Sequence, residues 1–459
     1  MPGLFDSLSM ATTSLDAQSR GIDVTGQNLA NVNTNGYSRR ALLLAEAPPE
    51  GPGGTGGGVI VQGVQALRDS YVQAQLDTAT QSGAYEGALT NQLSTLSSAL
   101  GLPGSSLDAS LSSFFNSFSQ LSTDPTSIVY RTGVVAQGQA LAQSFNTMAG
   151  NLTAAQQSSD ATARGLVDQV NALTTQVATL NRQIGDGADA NVESLIDQRQ
   201  VDITKLSSLI GAVAVPSTDG TIGLTVGNGH AIVIGTSSFQ IGVGSDAQGL
   251  ATFTLQDVNV TSQLTGGQVG AMLHIRSTLV PAYQAQLDQL AYNVATQVNT
   301  LHQAGTTLTG STNQAFFTAP TGVTGAAASL TVDPTLAGDP NLVAASTTGT
   351  PGDNQTALAI ANLQATGFVG SNGATPSEAW SQLVYTVGQD TASATSAQAN
   401  QQQIITQLTQ LRDAVSKVST DDEAAQLIKY QQAYLANARY FTVINDTLAN
   451  LMTMVTTTS

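Results

Sequence analysis

The chain has 459 residues, length for about three domains, but only 10% of them are charged, against the roughly 25% usual in soluble domains. Fourteen basic against 31 acidic residues leave a net charge of -17, which argues against a nucleic-acid partner. The absence of cysteine removes disulfides, zinc–thiolate sites, iron–sulfur clusters and a cysteine nucleophile together.

The opening residues, MPGLFDSLSM, have no basic start and no long apolar core, so a secretory signal peptide is not expected, and no apolar run is long enough for a membrane span. Instead Leu8, Leu15, Ile22 and Leu29 recur at sevens, with Leu4, Ala11 and Val32 at the companion positions. This is a heptad stripe along one helix. Fully buried, those four would contribute about 6–12 kcal/mol, a gain that a lone helix cannot realise. Asn28, Asn31, Asn33 and Asn35 then cluster before Gly36 and Tyr37. Asparagine competes with the helical backbone and glycine supplies a left-handed residue, so the chain should turn sharply near Asn35–Gly36. Asn28 and Asn31 either cap a helix end or fix the register between packed helices. Arg39 and Arg40 read as a solvated turn, or as a contact to an acidic neighbour.

Pro48 to Gly58 reads as a Pro/Gly linker between the first helix and a helical body. Within the body, Leu89, Leu93, Leu96 and Leu100 alternate steps of four and three. So do Leu166, Val170, Leu173, Val177, Leu180 and Ile184, and then Tyr283, Leu287, Leu290, Val294, Val298 and Leu301. Between residues 212 and 267 short β-branched runs, Thr221 to Val226 and Ala231 to Ile234, are separated by Asp219-Gly220 and Gly227-Asn228-Gly229, which are hairpin signals. Helical sequence on both sides, ending near Ile210 and resuming by about Met272, makes this a β-rich insertion with neighbouring ends. Residues 304–352 hold Gly, Thr and Pro with little periodicity and read as loops and short strands. A Gln-rich helix from about Trp380 carries Ile404, Leu408, Leu411, Val415 and Val418. The last helix places Leu427, Tyr434, Phe441, Leu448 and Val455 at sevens, with Tyr430, Ile444 and Leu451 three residues after three of them.

No constellation supports catalysis. Gly51 to Gly58 lacks the Gly-Lys-Ser/Thr of a phosphate loop, and no G-x-S-x-G elbow occurs. His230, His274 and His302 are too scattered to ligate a metal. Asp421, Asp422 and Glu423 stand before the last helix, where acids favour the dipole. No enzyme activity, cofactor or metal is expected. The fold class is mainly α with a β-rich insertion (α+β). A terminal coiled-coil unit comprises residues 1–50 and 420–459, with the two end helices paired; a helical body comprises 59–211 and 268–419; and a β outer domain comprises 212–267.

The stretch Asn28-Leu29-Ala30-Asn31-Val32-Asn33-Thr34-Asn35-Gly36-Tyr37 resembles the N-terminal signature of the bacterial flagellar axial proteins, the rod, hook and hook-associated proteins, with Asn35 where those usually have Pro. Asp422 to Tyr434 is similar to the other end of the same family. Ser38-Arg39, and Thr261 to Gly267 leading into Arg276, look like the hook-associated members at the hook–filament junction. The resemblance implies a secreted, extracellular structural adaptor, exported through the flagellar type III route and assembling as a ring whose terminal helices line the inner tube. Implied partners are neighbouring copies of itself, the hook protein, the next hook-associated protein toward the filament, and an export chaperone at the C-terminal helix, with no nucleic acid and no membrane. It marks Leu4, Leu8, Leu15, Ile22, Leu29 and Val32 as packing residues of the first helix. It marks Asn28, Asn31, Asn33, Gly36, Tyr37 and Arg39 as the signature turn, and Leu427, Tyr430, Tyr434, Phe441, Ile444, Leu448, Leu451 and Val455 as packing residues of the last. Both ends should be mobile in the free monomer and order against each other and adjacent subunits. The alternatives are another axial protein, hook or distal rod, or a secreted adhesin.

Overall fold

The computed structural model describes residues 2–48, 58–101, 107–187, 192–371 and 373–457. Helix α1 (Pro2–Ala30) leads through the signature turn into strand β1 (Arg40–Glu46), which pairs antiparallel with β2 (Val59–Ala66). The expected Pro/Gly linker is therefore the connection inside a β-hairpin, and its residues 49–57 lie outside the described ones. Consecutive Leu42, Leu43 and Leu44 break the alternation that announces a strand, and Leu43 and Leu44 are both exposed.

Helix α2 (Ser70–Leu100) starts on Asp69, whose carboxylate accepts the N–H groups of Tyr71 and Val72. It runs antiparallel to α11 (Pro376–Ser416), which a Thr375/Glu378 capping box opens. Gly83 and Gly87 let the two backbones approach; a Cβ on Gly83 would lie 2.9 Å from Ile405 Cδ1. Helices α3 (Leu107–Thr123), α4 (Ile128–Gly185) and α5 (Val192–Ile210) complete the first half of the body. Leu107, Leu111, Phe114, Phe118 and Leu121 on α3 are fully buried at helical spacing. Sequence reasoning passed over α3 and the first half of α4, although that spacing carries the signal.

The insertion forms two antiparallel sheets. One is β3 (Val213–Pro216), β4 (Ile222–Val226), β5 (His230–Ile234) and β6 (Ser237–Ser238); the other is β7 (Ile241–Ser245), β8 (Ala251–Leu255) and β9 (Val258–Asn259). The expected turns at Asp219-Gly220 and Gly227-Asn228-Gly229 join β3, β4 and β5. The ends of the insertion do meet: a Cβ on Gly211 would lie 2.9 Å from Gly266 Cα.

Helix α6 (Gly267–His274) begins about five residues earlier than the periodicity suggests and passes through a π-helical turn, Ile275–Leu279, into α7 (Val280–Ala304). The irregular segment that follows is packed, and short helices replace most of the expected strands: α8 (Ala326–Ser329) and α9 (Pro334–Gly338), with α10 (Gln355–Asn362) after it. Its β character is confined to isolated bridges, Thr306 to Ser346 and Phe317 to Val332. Phe316 and Phe317 close against Phe114 at ring distances of 5.4 and 5.5 Å, making an aromatic nucleus with Phe118. Helix α12 (Thr420–Thr457) returns along α1.

Candidate assembly face and its joint to the body

Helices α1 and α12 pack antiparallel, and the seam on α1 is not the leucine heptad. The buried positions are Ala11, Ala17, Gly21, Val24, Thr25 and Asn28, small residues that bring the helix axes close. A Cβ on Gly21 would sit 2.7 Å from the ring of Tyr430, so the tyrosine lies flat on bare backbone. Leu4, Leu8, Leu15, Ile22 and Val32 are half-buried at the border of this seam, and Leu29 is exposed. On α12, Leu427, Tyr430, Phe441, Leu448 and Leu451 are half-buried and Ile444 is buried, whereas Tyr434 is exposed. The side chain of Val455 lies outside the described residues. The positions at sevens thus border the seam rather than form it, and two of them, Leu29 and Tyr434, are exposed.

The signature turn builds the joint between this pair and the body. Asn28, 1% exposed, donates from Nδ2 to Arg40 O at 2.9 Å and to Glu423 Oε2 at 3.0 Å, and its Oδ1 accepts from Arg40 N and from the Tyr37 hydroxyl. Asn28 thus ties α1 to α12 across 395 residues of sequence and holds the start of β1. Glu423 is buried and takes Arg39 Nε at 2.7 Å, while Arg39 N donates to Ser416 O at the end of α11. All three acids stand in the first turn of α12, where their charge favours the dipole; Asp421 and Asp422 stay exposed, and Glu423 in addition turns inward. Arg39–Arg40 is likewise no solvated turn. The Arg40 guanidinium lies 5.0 Å from the Tyr37 ring centroid, and its Nε is buried without a partner among the described residues. Burial pushes the Tyr37 phenol up despite the lowering influence of Arg40.

Of the remaining turn residues, Asn31 accepts from the Thr34 hydroxyl, Asn33 is exposed, and Gly36 takes the expected left-handed conformation at φ 81°. A Cβ there would meet Val201 of α5 at 2.4 Å, so glycine serves both the turn and the close approach. A second ionic cluster completes the joint. Arg68 donates to Glu193 Oε2 and to Asp197 Oδ1, both at 2.8 Å, and Ser38 Oγ donates to Asp197 Oδ1 at 2.7 Å. Sequence reasoning missed Arg68, Glu193, Asp197 and the inward role of Glu423.

The β insertion is fastened to α4 by two asparagines that act as strand neighbours. Asn171 pairs its amide with both backbone groups of Ile241, and Asn181 bonds Ile222 N, Ile222 O and Gly235 O while accepting Arg199 Nη1. Asp160 on α4 accepts Ala251 N at 2.7 Å, Arg276 Nη1 at 2.5 Å and Arg164 Nε at 2.9 Å. Burial alone would raise its carboxyl, but these donors hold it below the usual range. In the Thr261–Gly267 motif a Cβ on Gly267 would lie 2.7 Å from the Ser208 carbonyl oxygen, so the motif closes the insertion against α5.

His302 is buried; one ring nitrogen lies 2.6 Å from Gln314 O, and the other accepts Ala344 N at 2.9 Å. Burial drives its pKa down to about 4. Trp380, near the start of α11, is buried in the core. Among the described residues no group of three or more His, Cys, Asp or Glu is placed to hold a metal ion, and no described helix is long and apolar enough to cross a membrane.

Comparison with known proteins agrees with this architecture. Residues 93–317 match the family model described as the flagellar hook-associated protein FlgK helical domain. The chain is 26% identical to flagellar hook-associated protein 1 of Escherichia coli K12, with 97% of this chain and 99% of that protein covered. It is 27% identical to the Bacillus subtilis 168 protein of the same name, with 98% of each covered. The solved structure of the flagellar hook junction protein FlgK from Burkholderia pseudomallei superposes on 75% of this chain and all of that one, with TM-score 0.66 and 17% sequence identity, a likeness of fold. In near full-length agreement with these relatives, in a matching model over the helical body and in fold, the chain is similar to the flagellar hook-associated protein 1 family.

Proposed function

We propose that this chain is a structural subunit of the bacterial flagellum, the adaptor that joins hook to filament by assembling as a ring through its terminal helices. One observation carries the reading. The α1–α12 pair leaves Phe5, Leu29, Ile428, Leu435, Val443, Met452 and Met454 exposed, between 39% and 71% of each, along both sides of its seam. Apolar side chains left open on a two-helix unit gain from cover by further helices. Neighbouring copies of the chain supply that cover in this reading, and a head-to-tail contact of this kind generates a helical or ring assembly.

The hook protein on one side and the next hook-associated protein on the other are its proposed partners. An export chaperone shields α12 before assembly, and the chain works outside the cell without catalysing a reaction. The acidic body and the nearly neutral ends suit that division, because the ends can pack closely while the outer surface stays solvated. Immunogold microscopy of intact flagella with an antibody to residues 71–419 tests it. A single narrow band of label where hook meets filament is expected; label along the whole hook or filament would point to another axial protein, and unlabelled flagella would favour an adhesin.

A further inference from the structure

A cavity of about 600 Å³ opens where the β insertion meets the helical body, lined by β8, the loop 259–265, the π-helical turn and Tyr85 of α2. Cavities of this size at domain junctions are common ligand sites, and π-helical turns recur beside them. Its polar wall is Arg276, whose side chain is 5% exposed. Nη1 is spent on Asp160 and Ala251 O, and Nε on Ser277 Oγ at 3.2 Å, but Nη2 has no partner among the described residues. Asp160 is shared with Arg164, so one carboxylate serves two guanidinium groups and leaves Arg276 Nη2 free to donate. His274 lines the same cavity with no hydrogen bond among the described residues, its ring 6.5 Å from that of Tyr85 between centroids. Ser262 and Thr265 add hydroxyls at the mouth, and Leu264 and Leu273 add apolar wall. Asp246, the acid lining the cavity, is occupied with the N–H groups of Gln248 and Leu250.

We propose that this cavity binds a small hydroxy acid, such as an acidic monosaccharide. Its carboxylate takes the free Nη2 of Arg276 and the His274 ring, and its hydroxyls meet Ser262 and Thr265. A bare anion leaves most of the cavity empty, and a neutral sugar gives Arg276 Nη2 no charge-assisted acceptor, whereas a charged and hydroxylated ligand answers both. Calorimetric titration of the full chain with D-glucuronate, D-glucose and inorganic phosphate tests the assignment.

Saturable glucuronate binding with Kd of about 1 mM or tighter is expected, with glucose and phosphate each at least about tenfold weaker. His274→Ala and Thr265→Trp leave the Asp160–Arg276 pair intact, and each should weaken glucuronate at least about tenfold while circular dichroism stays unchanged. Phosphate binding as tight as glucuronate overturns the organic part of the proposal, and equal glucose binding overturns the anionic anchor. Absence of glucuronate binding, or wild-type binding in both variants, overturns the site.

Discussion

Gly21 carries the closest helix contact of the assembly face, and substitution there separates two opposed effects. Replacing glycine inside a helix ordinarily gains up to about 1 kcal/mol. Here the new side chain would enter the ring of Tyr430, and overpacking of this kind costs about 1–3 kcal/mol. Gly21→Val should therefore abolish swimming in a complementation assay, and Tyr430→Ala in the same chain should restore part of it. His302 is a second residue with a signed consequence. Its imidazole is held neutral, with a pKa lowered from 6.5 to about 4. The stability it supports is present above the unfolded value and is lost as pH falls from about 6.5 toward 4, by roughly 3 kcal/mol in all. Urea unfolding at steps between pH 7 and pH 4 should show that slope, and His302→Gln, which keeps a donor and an acceptor, should flatten it. Neither Gly21 nor His302 stands out in the sequence: a glycine in a heptad helix and a lone histidine acquire meaning from partners hundreds of residues away or across a fold.

Among the elements, those with local signals were legible. Asp219-Gly220 and Gly227-Asn228-Gly229 placed β4 and β5 almost to the residue, because turn chemistry is a property of adjacent residues. The β1–β2 hairpin was not legible, because neither RALLLAE nor VIVQGVQA alternates apolar with polar residues, although burial alternates along the first six residues of β2. The joint was half legible. The asparagines and Gly36 marked a turn, but the pairing of Arg39 with Glu423 depends on α1 and α12 lying side by side. Helix α4 shows how an element can be read correctly and still hide its purpose: its apolar positions announce a helix, while Asn171 and Asn181 look like ordinary polar surface. Asn181→Ala would strip Ile222 of both partner groups and leave Arg199 short of an acceptor, a loss of about 1–3 kcal/mol. Amide exchange should accelerate at Ile222 and along β4, with the three-stranded sheet on Asn171 unaffected.

At the scale of the whole molecule, the chain divides its stabilising contacts unequally. The body and the insertion share one continuous apolar core, from Leu89 through Phe253 to Ala394, and no residue of α1 or α12 belongs to it. Helices that pack mainly on each other and on the two-stranded β1–β2 hairpin, with half-buried leucines, sit at the low end of local stability. In dilute monomer, hydrogen exchange of residues 2–30 and 420–457 should be faster than that of α4 by orders of magnitude, and should slow once the chain is incorporated into flagella. Protection of both ends in the monomer equal to that of α4 would refute a fold completed by assembly.

Helix α4 has a mechanical consequence of its own. At 1.5 Å per residue its 58 residues form a rod of about 87 Å. Near its start, Arg131 grips the carbonyls of Pro125 and Val343; near its end, Asn171 and Asn181 grip the two sheets. A rotating shaft loads its joints in torsion, and a load applied to one end of a single uninterrupted rod reaches the other end as rigid rotation. The outer modules would then turn with the body in unison, with any compliance confined to the joint around Asn28, Arg39 and Arg68.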